Sequence, residues 1–230
     1  AASGIVMDMN SGAVLYAKKA EEKRYPASIT KVLSVLTALQ YAKMSDTVVF
    51  SEDSISFLQW DDAQIGMKPG EEISMESALY GMLLASANEV SYAVAENVGK
   101  QYLNGGYAEF IEEMNRLSQE LGCTSSNWVN ANGLHDDNHY TTAHDMARIA
   151  AAAYQNEEFR RLETPLEYKV PPTNLTAEER ILDQNHKMLW PENYYYYANA
   201  KAGKTGYTDQ SKTTLVTMAE GNDMQLAAVV

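Results

Sequence analysis

Hairpin patterns at both ends of this chain, with helical periodicity between them, restrict its fold more than any other feature. Ile5-Val6-Met7-Asp8-Met9 is apolar and β-prone, Asn10-Ser11-Gly12 is a turn signal, and Ala13-Val14-Leu15-Tyr16 reads as the return strand. At the other end, residues 213–219 read as a strand, Gly221-Asn222-Asp223 as a turn, and residues 224–230 as the partner strand. Between them, a helix is expected from Ser28 to about residue 44 and a short strand over 47–50. Another helix starts at Ser74, breaks at Ala85-Ser86-Ala87-Asn88 and resumes to Val98. Helices over 107–121 and 142–155 follow, the first with Phe110, Ile111, Met114 and Leu117 on one face, the second capped by Thr142. From Glu163 helical patterns stop, and Pro171-Pro172 excludes helix; the tyrosine run 194–197 fits strand or surface loop. The expected class is therefore α/β of the α+β type. An antiparallel sheet is built from both termini, flanked by helices, with a mainly helical part inserted. That makes one domain over 1–230, with a sheet part at about 1–45 plus 165–230 and a helical part at about 46–164.

With 230 residues the chain can bury one substantial core. Eighteen Lys and Arg against 31 Asp and Glu leave a net charge of −13, which argues against nucleic acid as a partner. Cys123 is the single cysteine, so no intrachain disulfide can form. No run is long or apolar enough to span a bilayer. The chain stops at Val230 inside an apolar strand pattern, and a further C-terminal part of the fold is expected beyond it.

The chemistry concentrates in three short stretches. Pro26-Ala27-Ser28-Ile29-Thr30-Lys31 leads into an apolar run with Val32, Val35, Leu36 and Leu39 at helical spacing. Ser28 falls at or near a helix N-terminus, and Lys31, three residues on, shares its face. A lysine inside an apolar helix loses affinity for its proton, and a neutral amine beside a serine hydroxyl is a general base for a nucleophile. The bland alternative is a capping serine and a lysine reaching to water. Ser86-x-Asn88 lies at the helix break, with both side chains free to enter a cleft. Lys204-Thr205-Gly206 opens the last strand-rich segment.

In this order the three motifs are those of penicillin-recognising serine enzymes. The chain resembles the serine-type D-alanyl-D-alanine carboxypeptidases, low-molecular-mass penicillin-binding proteins, over nearly its whole length. More specific matches are Leu83-Leu84-Ala85-Ser86-Ala87-Asn88, Asn130-Ala131-Asn132-Gly133-Leu134-His135, His139-Tyr140-Thr141-Thr142-Ala143-His144-Asp145-Met146-Ala147 and Lys204-Thr205-Gly206-Tyr207-Thr208. The resemblance implies a β-lactamase/transpeptidase-like fold and no cofactor. It implies that Ser28 attacks the bond between two D-alanines, Lys31 takes its proton, and Ser86, held between Lys31 and Lys204, relays a proton to the leaving D-alanine. Asn88 would bond the substrate amide and steady Lys31, while Lys204 and Thr205 bind the terminal carboxylate. Gly206 would leave room for the substrate, and the N–H groups of Ser28 and Tyr207 would form an oxyanion hole. The implied partners are peptidoglycan stem peptides and, as inhibitors, β-lactams. The implied location is the bacterial envelope outside the cytoplasm, with a membrane anchor, where one exists, in a C-terminal region outside this chain.

The chain departs from the family pattern at Gln210-Ser211-Lys212, at Ala202-Gly203, at Glu89 where aspartate is usual, and in having no arginine after Arg180. Three other readings use the same residues. A class A β-lactamase would need a deacylating glutamate, for which Glu157, Glu158 and Glu163 are the candidates. A wall-binding or sensing module would keep the pocket without turnover. A zinc peptidase would draw on His135, His139 and His144, although no His-Glu-x-x-His is present.

Overall fold

The computed structural model describes residues 1–230. A five-stranded antiparallel sheet is assembled from both ends of the chain. It comprises β1 (Gly4–Asp8), β2 (Val14–Lys18), β7 (Ala200–Thr208), β8 (Lys212–Gly221) and β9 (Met224–Val229), in the order β2-β1-β9-β8-β7. The N-terminal hairpin joins the C-terminal one through β1 and β9, with Ile5 opposite Val229 and Asp8 opposite Leu226. β7 is an edge strand, paired on one side with β8, Gly206 opposite Thr214.

Seven helices complete the chain: α1 (Thr30–Leu39), α2 (Glu52–Ser56), α3 (Met75–Leu83), α4 (Asn88–Tyr102), α5 (Tyr107–Glu120), α6 (Ala143–Gln155) and α7 (Glu157–Glu163). α1 is the centre. Every residue from Thr30 to Ala38 is buried, and the helix packs against α3, α4, α5, α6 and α7. A helix without a solvent face belongs in the middle of a core. α6 lies across β1, β8 and β9. It therefore stands on the sheet although the sequence groups it with the inserted helices. Two small ribbons, β3 (Thr47–Val49) with β4 (Glu72–Ser74) and β5 (Glu167–Val170) with β6 (Arg180–Asp183), border the helices.

Several elements differ from the sequence expectation for identifiable reasons. α1 ends at Leu39 rather than near residue 44. The chain tightens there, Gln40 N–H donating to the Thr37 carbonyl and Tyr41 N–H to that of Ala38, and Lys43 N–H then bonds the Asp46 carboxylate at 2.8 Å. α2 and α7 are short helices without a full apolar period; Ser51 and Asn156 cap them by accepting from the N–H groups of Ser54 and Phe159. Lys204 does not open a strand; it sits in the middle of β7. The tyrosine run is a surface loop, its backbone folded back on Asn193 and Met188.

One ion pair ties the two ribbons together. Glu71 is wholly buried, and its carboxylate accepts from Arg180 Nη2 at 2.8 and 3.0 Å and from the Thr173 hydroxyl. Removing one partner of a buried pair strands the other charge. Arg180→Met should lower the unfolding free energy by about 3–5 kcal/mol in urea denaturation; a loss below about 1 kcal/mol would show that water reaches Glu71.

Candidate active site

Ser28 is set by a tight turn ahead of α1. Ala27 has φ +53°, a left-handed conformation that costs a residue with a Cβ about 1–2 kcal/mol. Neighbours hold the turn in place. Thr214 of β8 donates its hydroxyl to the Pro26 carbonyl at 2.8 Å. Gly133, at φ +87°, lies so near the turn that a Cβ there would stand 1.9 Å from the Ala27 carbonyl oxygen. On the other side a Cβ at Gly206 would stand 2.8 Å from Ser28 N and 2.4 Å from Thr214 Oγ1. Glycine is thus required at 133 and at 206 for close approach of backbone to the Ser28 turn.

Lys31, in the first turn of α1, is 0% exposed. Its Nζ lies 2.8 Å from Asn88 Oδ1, 2.7 Å from the Asn132 carbonyl oxygen and 3.0 Å from Ser28 Oγ. Burial, and then the charge of Lys204, drive its pKa well below the ordinary lysine value, with Glu89 and Asp62 opposing. The geometry fits that neutral state. A neutral amine has two N–H donors and one lone pair. The two carbonyl oxygens can only accept, so when the amine is neutral they take both N–H groups and its lone pair faces the Ser28 hydroxyl.

Ser86 and Asn88 come from the break between α3 and α4. Ser86 has φ +61° and is nearly buried. Its Oγ accepts from Lys204 Nζ at 2.9 Å, and Lys204 also donates to the Thr205 carbonyl at 2.8 Å. Ser86 therefore joins Lys204 alone rather than bridging both lysines. Lys204 is 1% exposed; burial lowers its pKa to about 8, with Glu163 acting in the other direction. One ammonium donor stays free for a ligand. Glu89, next to Asn88, turns inward and accepts from Ile65 N–H at 2.7 Å, while Asn88 N–H donates to the Ala63 carbonyl. The loop so fastened carries Asp61 and Asp62 to the rim.

These parts face one cleft of about 970 Å³, in the range of small-molecule sites. Ser28, Ser86, Asn88, Thr205, Gly206 and Tyr207 all line it, and Lys31 and Lys204 stand just beneath. All eight residues singled out in the sequence converge here. Asn132, Gly133 and Thr214 were missed as parts of the site. Asn132-Gly133 stood within the family match from Asn130 to His135 without a role of its own, and Thr214 had no mark beyond its strand position.

The residues of the competing readings lie elsewhere. Glu157 and Glu158 are exposed on α7, Glu163 is buried behind β7, and no glutamate lines the cleft. His139 is buried between the Thr30 hydroxyl, 2.8 Å from Nε2, and Val129 N–H, which donates to Nδ1. His135 packs edge-on to Tyr25, and His144 pairs with Glu21. No group of three His, Cys, Asp or Glu is placed to hold a metal ion. Arg180, spent on Glu71, is absent from the cleft wall.

A sequence model of the family described as D-alanyl-D-alanine carboxypeptidase matches residues 1–230. The chain belongs to this family. The D-alanyl-D-alanine carboxypeptidase DacF of Bacillus subtilis is 31% identical over 239 residues, covering 100% of this chain and 57% of its own length. DacB2 of Mycobacterium tuberculosis is 31% identical over 214 residues, covering 92% of this chain and 68% of its own. The chain thus spans little more than half the length of several curated relatives it matches. Among solved structures, a D-alanyl-D-alanine carboxypeptidase of Mycobacterium tuberculosis superposes with a TM-score of 0.88 at 29% identity, over 100% of this chain and 81% of that one. A Streptomyces DD-transpeptidase, 23% identical, shares the fold with a TM-score of 0.90, over 100% of this chain and 88% of that one.

Gly133→Ala tests the support of the turn. The added methyl must displace the Ala27–Ser28 backbone, and about 1 Å of misplacement costs roughly 100-fold in a positioned reaction. Acylation of Ser28 by a fluorescent penicillin should slow by at least about tenfold while the folded circular dichroism spectrum is retained; an unchanged rate would contradict this role of Gly133.

Proposed function

We propose that this chain is the catalytic domain of a serine peptidase that removes the terminal D-alanine from peptidoglycan stem peptides ending in D-Ala-D-Ala. The observation that carries this reading is the buried Lys31 amine, held by Asn88 Oδ1 and the Asn132 carbonyl with its Nζ 3.0 Å from Ser28 Oγ and its proton affinity lowered by burial. An amine so held can take the hydroxyl proton as the oxygen attacks.

The steps follow from the positions. The substrate lies along the free edge of β7 as an added strand, with its terminal carboxylate at Lys204 and Thr205. Asn88, with Oδ1 fixed by Lys31, offers its Nδ2 to the amide carbonyl of the substrate. Ser28 Oγ bonds to the carbonyl carbon of the D-Ala-D-Ala bond as Lys31 Nζ accepts its proton. The oxyanion develops beside the backbone N–H groups of Ser28 and Tyr207. The C–N bond then breaks. As it breaks, Ser86, hydrogen-bonded to Lys204, gives its hydroxyl proton to the departing amine, and the proton held by Lys31 restores the Ser86 hydroxyl, leaving Lys31 neutral and the acyl group on Ser28. Water attacks the ester as Lys31 takes its proton, the bond to Ser28 Oγ breaks, and Lys31 returns the proton to that oxygen as the shortened stem is released. A β-lactam carries a strained amide and a carboxylate that suit the same two subsites, so it would acylate Ser28 and block turnover.

The family and the relatives support a bacterial envelope location outside the cytoplasm, and no helix here is long and apolar enough to cross a membrane. We also propose that residues 46–164 other than α6 form a helical part that borders the cleft through Asp62, Ser86, Asn88 and Gly133, opposite β7.

Ser28→Ala should abolish both the covalent penicillin adduct, read by intact mass, and D-alanine release from diacetyl-Lys-D-Ala-D-Ala. D-alanine release persisting in the variant would overturn the assignment. Lys31→Arg, which fits no neutral base, should lose at least about 1,000-fold in acylation; near-normal acylation would place the base elsewhere. A wild-type adduct without D-alanine release would favour the sensing module, and fast penicillin turnover the β-lactamase.

A further inference from the structure

Behind β7 lies a carboxyl group that these steps do not use. Glu163, the last residue of α7, is 1% exposed. Its Oε2 accepts from Gly203 N–H and from Gln184 Nε2, each at 3.3 Å, and Oε1 has no partner. An incompletely bonded buried carboxyl is costly, and the C-terminal end of a helix, where carbonyls point outward, adds to the cost. Few charges face it. From α6 and α7, Tyr154 and Arg160 border a cavity of about 410 Å³ that Glu163 shares with Lys201 of β7. Arg160 is engaged by the Tyr154 carbonyl and Lys201 by the Ala198 carbonyl. From the segment after β6 come Gln184 and His186, which burial holds neutral and which bonds the Thr217 hydroxyl. From β7 comes Lys204. Glu163 favours the charged form of Lys204, and Lys204 favours that of Glu163.

The backbone bond carries equal weight. Gly203 N–H faces the open edge of β7. Antiparallel alternation turns the N–H groups of Thr205 and Tyr207 to that same edge, where the substrate would pair. Glu163 occupies the position before them and closes the edge beside Lys204.

We propose that Glu163 is a positioning residue for the carboxylate end of the cleft: it caps the β7 edge at Gly203 and is the counter-charge that keeps Lys204 an ammonium. Its effect on substrate rests on the peptidase reading; the coupling to Lys204 does not. Burial brings Lys204 down to about 8 and pushes Glu163 up to about 8, so the carboxylate forms, and holds the proton on Lys204, towards the alkaline end of an enzyme's working range. Glutamine at 163 keeps an acceptor for Gly203 N–H and removes the charge. Lys204 then loses its proton at lower pH.

The test is a pH titration of protein labelled with ε-¹³C lysine, with the Lys204 signal assigned by its loss in Lys204→Ala. In Glu163→Gln the Lys204 midpoint should fall by at least about half a pH unit. Gln184→Leu, which removes a donor to the carboxylate, should move it the same way by less and serves if the first variant does not fold. In Glu163→Gln the alkaline limb of kcat/KM for D-alanine release should shift to lower pH with the titration, while kcat near pH 6 stays within about threefold. A Lys204 midpoint that stays in place in both variants overturns the proposal, with or without D-alanine release. A shifted midpoint in a wild-type protein that releases no D-alanine upholds the counter-charge and overturns the peptidase reading instead.

Discussion

The structure depends on the burial of one amine. Lys31 sits on a helix with no solvent face, at the point where helices and sheet meet. Its partners are two carbonyl oxygens and a hydroxyl, and burial together with the Lys204 charge lowers its affinity for the proton. Folding thus places an amine of weakened proton affinity beside Ser28. The sign for stability follows. Below the ordinary lysine pKa the unfolded chain holds a proton that the folded chain gives up, so this group contributes more to stability as pH rises towards about 10.4.

Around that amine, each flanking segment makes one contact that fixes the turn or the cleft. Asn132 and Gly133 form a loop that bonds Lys31 and underlies Ser28. Thr214 holds Pro26. Ser86, in a left-handed conformation, turns towards Lys204. Strain falls on Ala27, just before Ser28, and on Ser86 itself, where packing enforces conformations the residues alone would avoid. The two buried lysines also act on each other: Lys204 helps keep Lys31 neutral, while Glu163 helps keep Lys204 charged.

Much of this could be read in the sequence. The terminal hairpins predicted the sheet, because alternation and turn residues are local properties. A lysine in the apolar stripe after Ser28 predicted a buried amine close to that serine, because such a residue conflicts with its surroundings unless it is used. What could not be read arises from long-range approach. That Asn132 would bond Lys31 across 101 residues, or that Glu163 would meet Gly203, has no local signature. The short helices α2 and α7 were missed because their caps, not their periodicity, define them, and α6 was assigned to the wrong neighbour because its pattern shows that one face is buried but not against what.

The central claim is that Lys31 is neutral in the free protein and takes the Ser28 proton. The pH dependence of the second-order rate of Ser28 acylation by benzylpenicillin, from about pH 5 to 11, tests it most directly. The account predicts an acidic limb well below the ordinary lysine value of about 10.4. A rate that climbs tenfold per unit through pH 9 and levels only near about 10.4 would mean that Lys31 is an ordinary charged lysine, and would contradict the account.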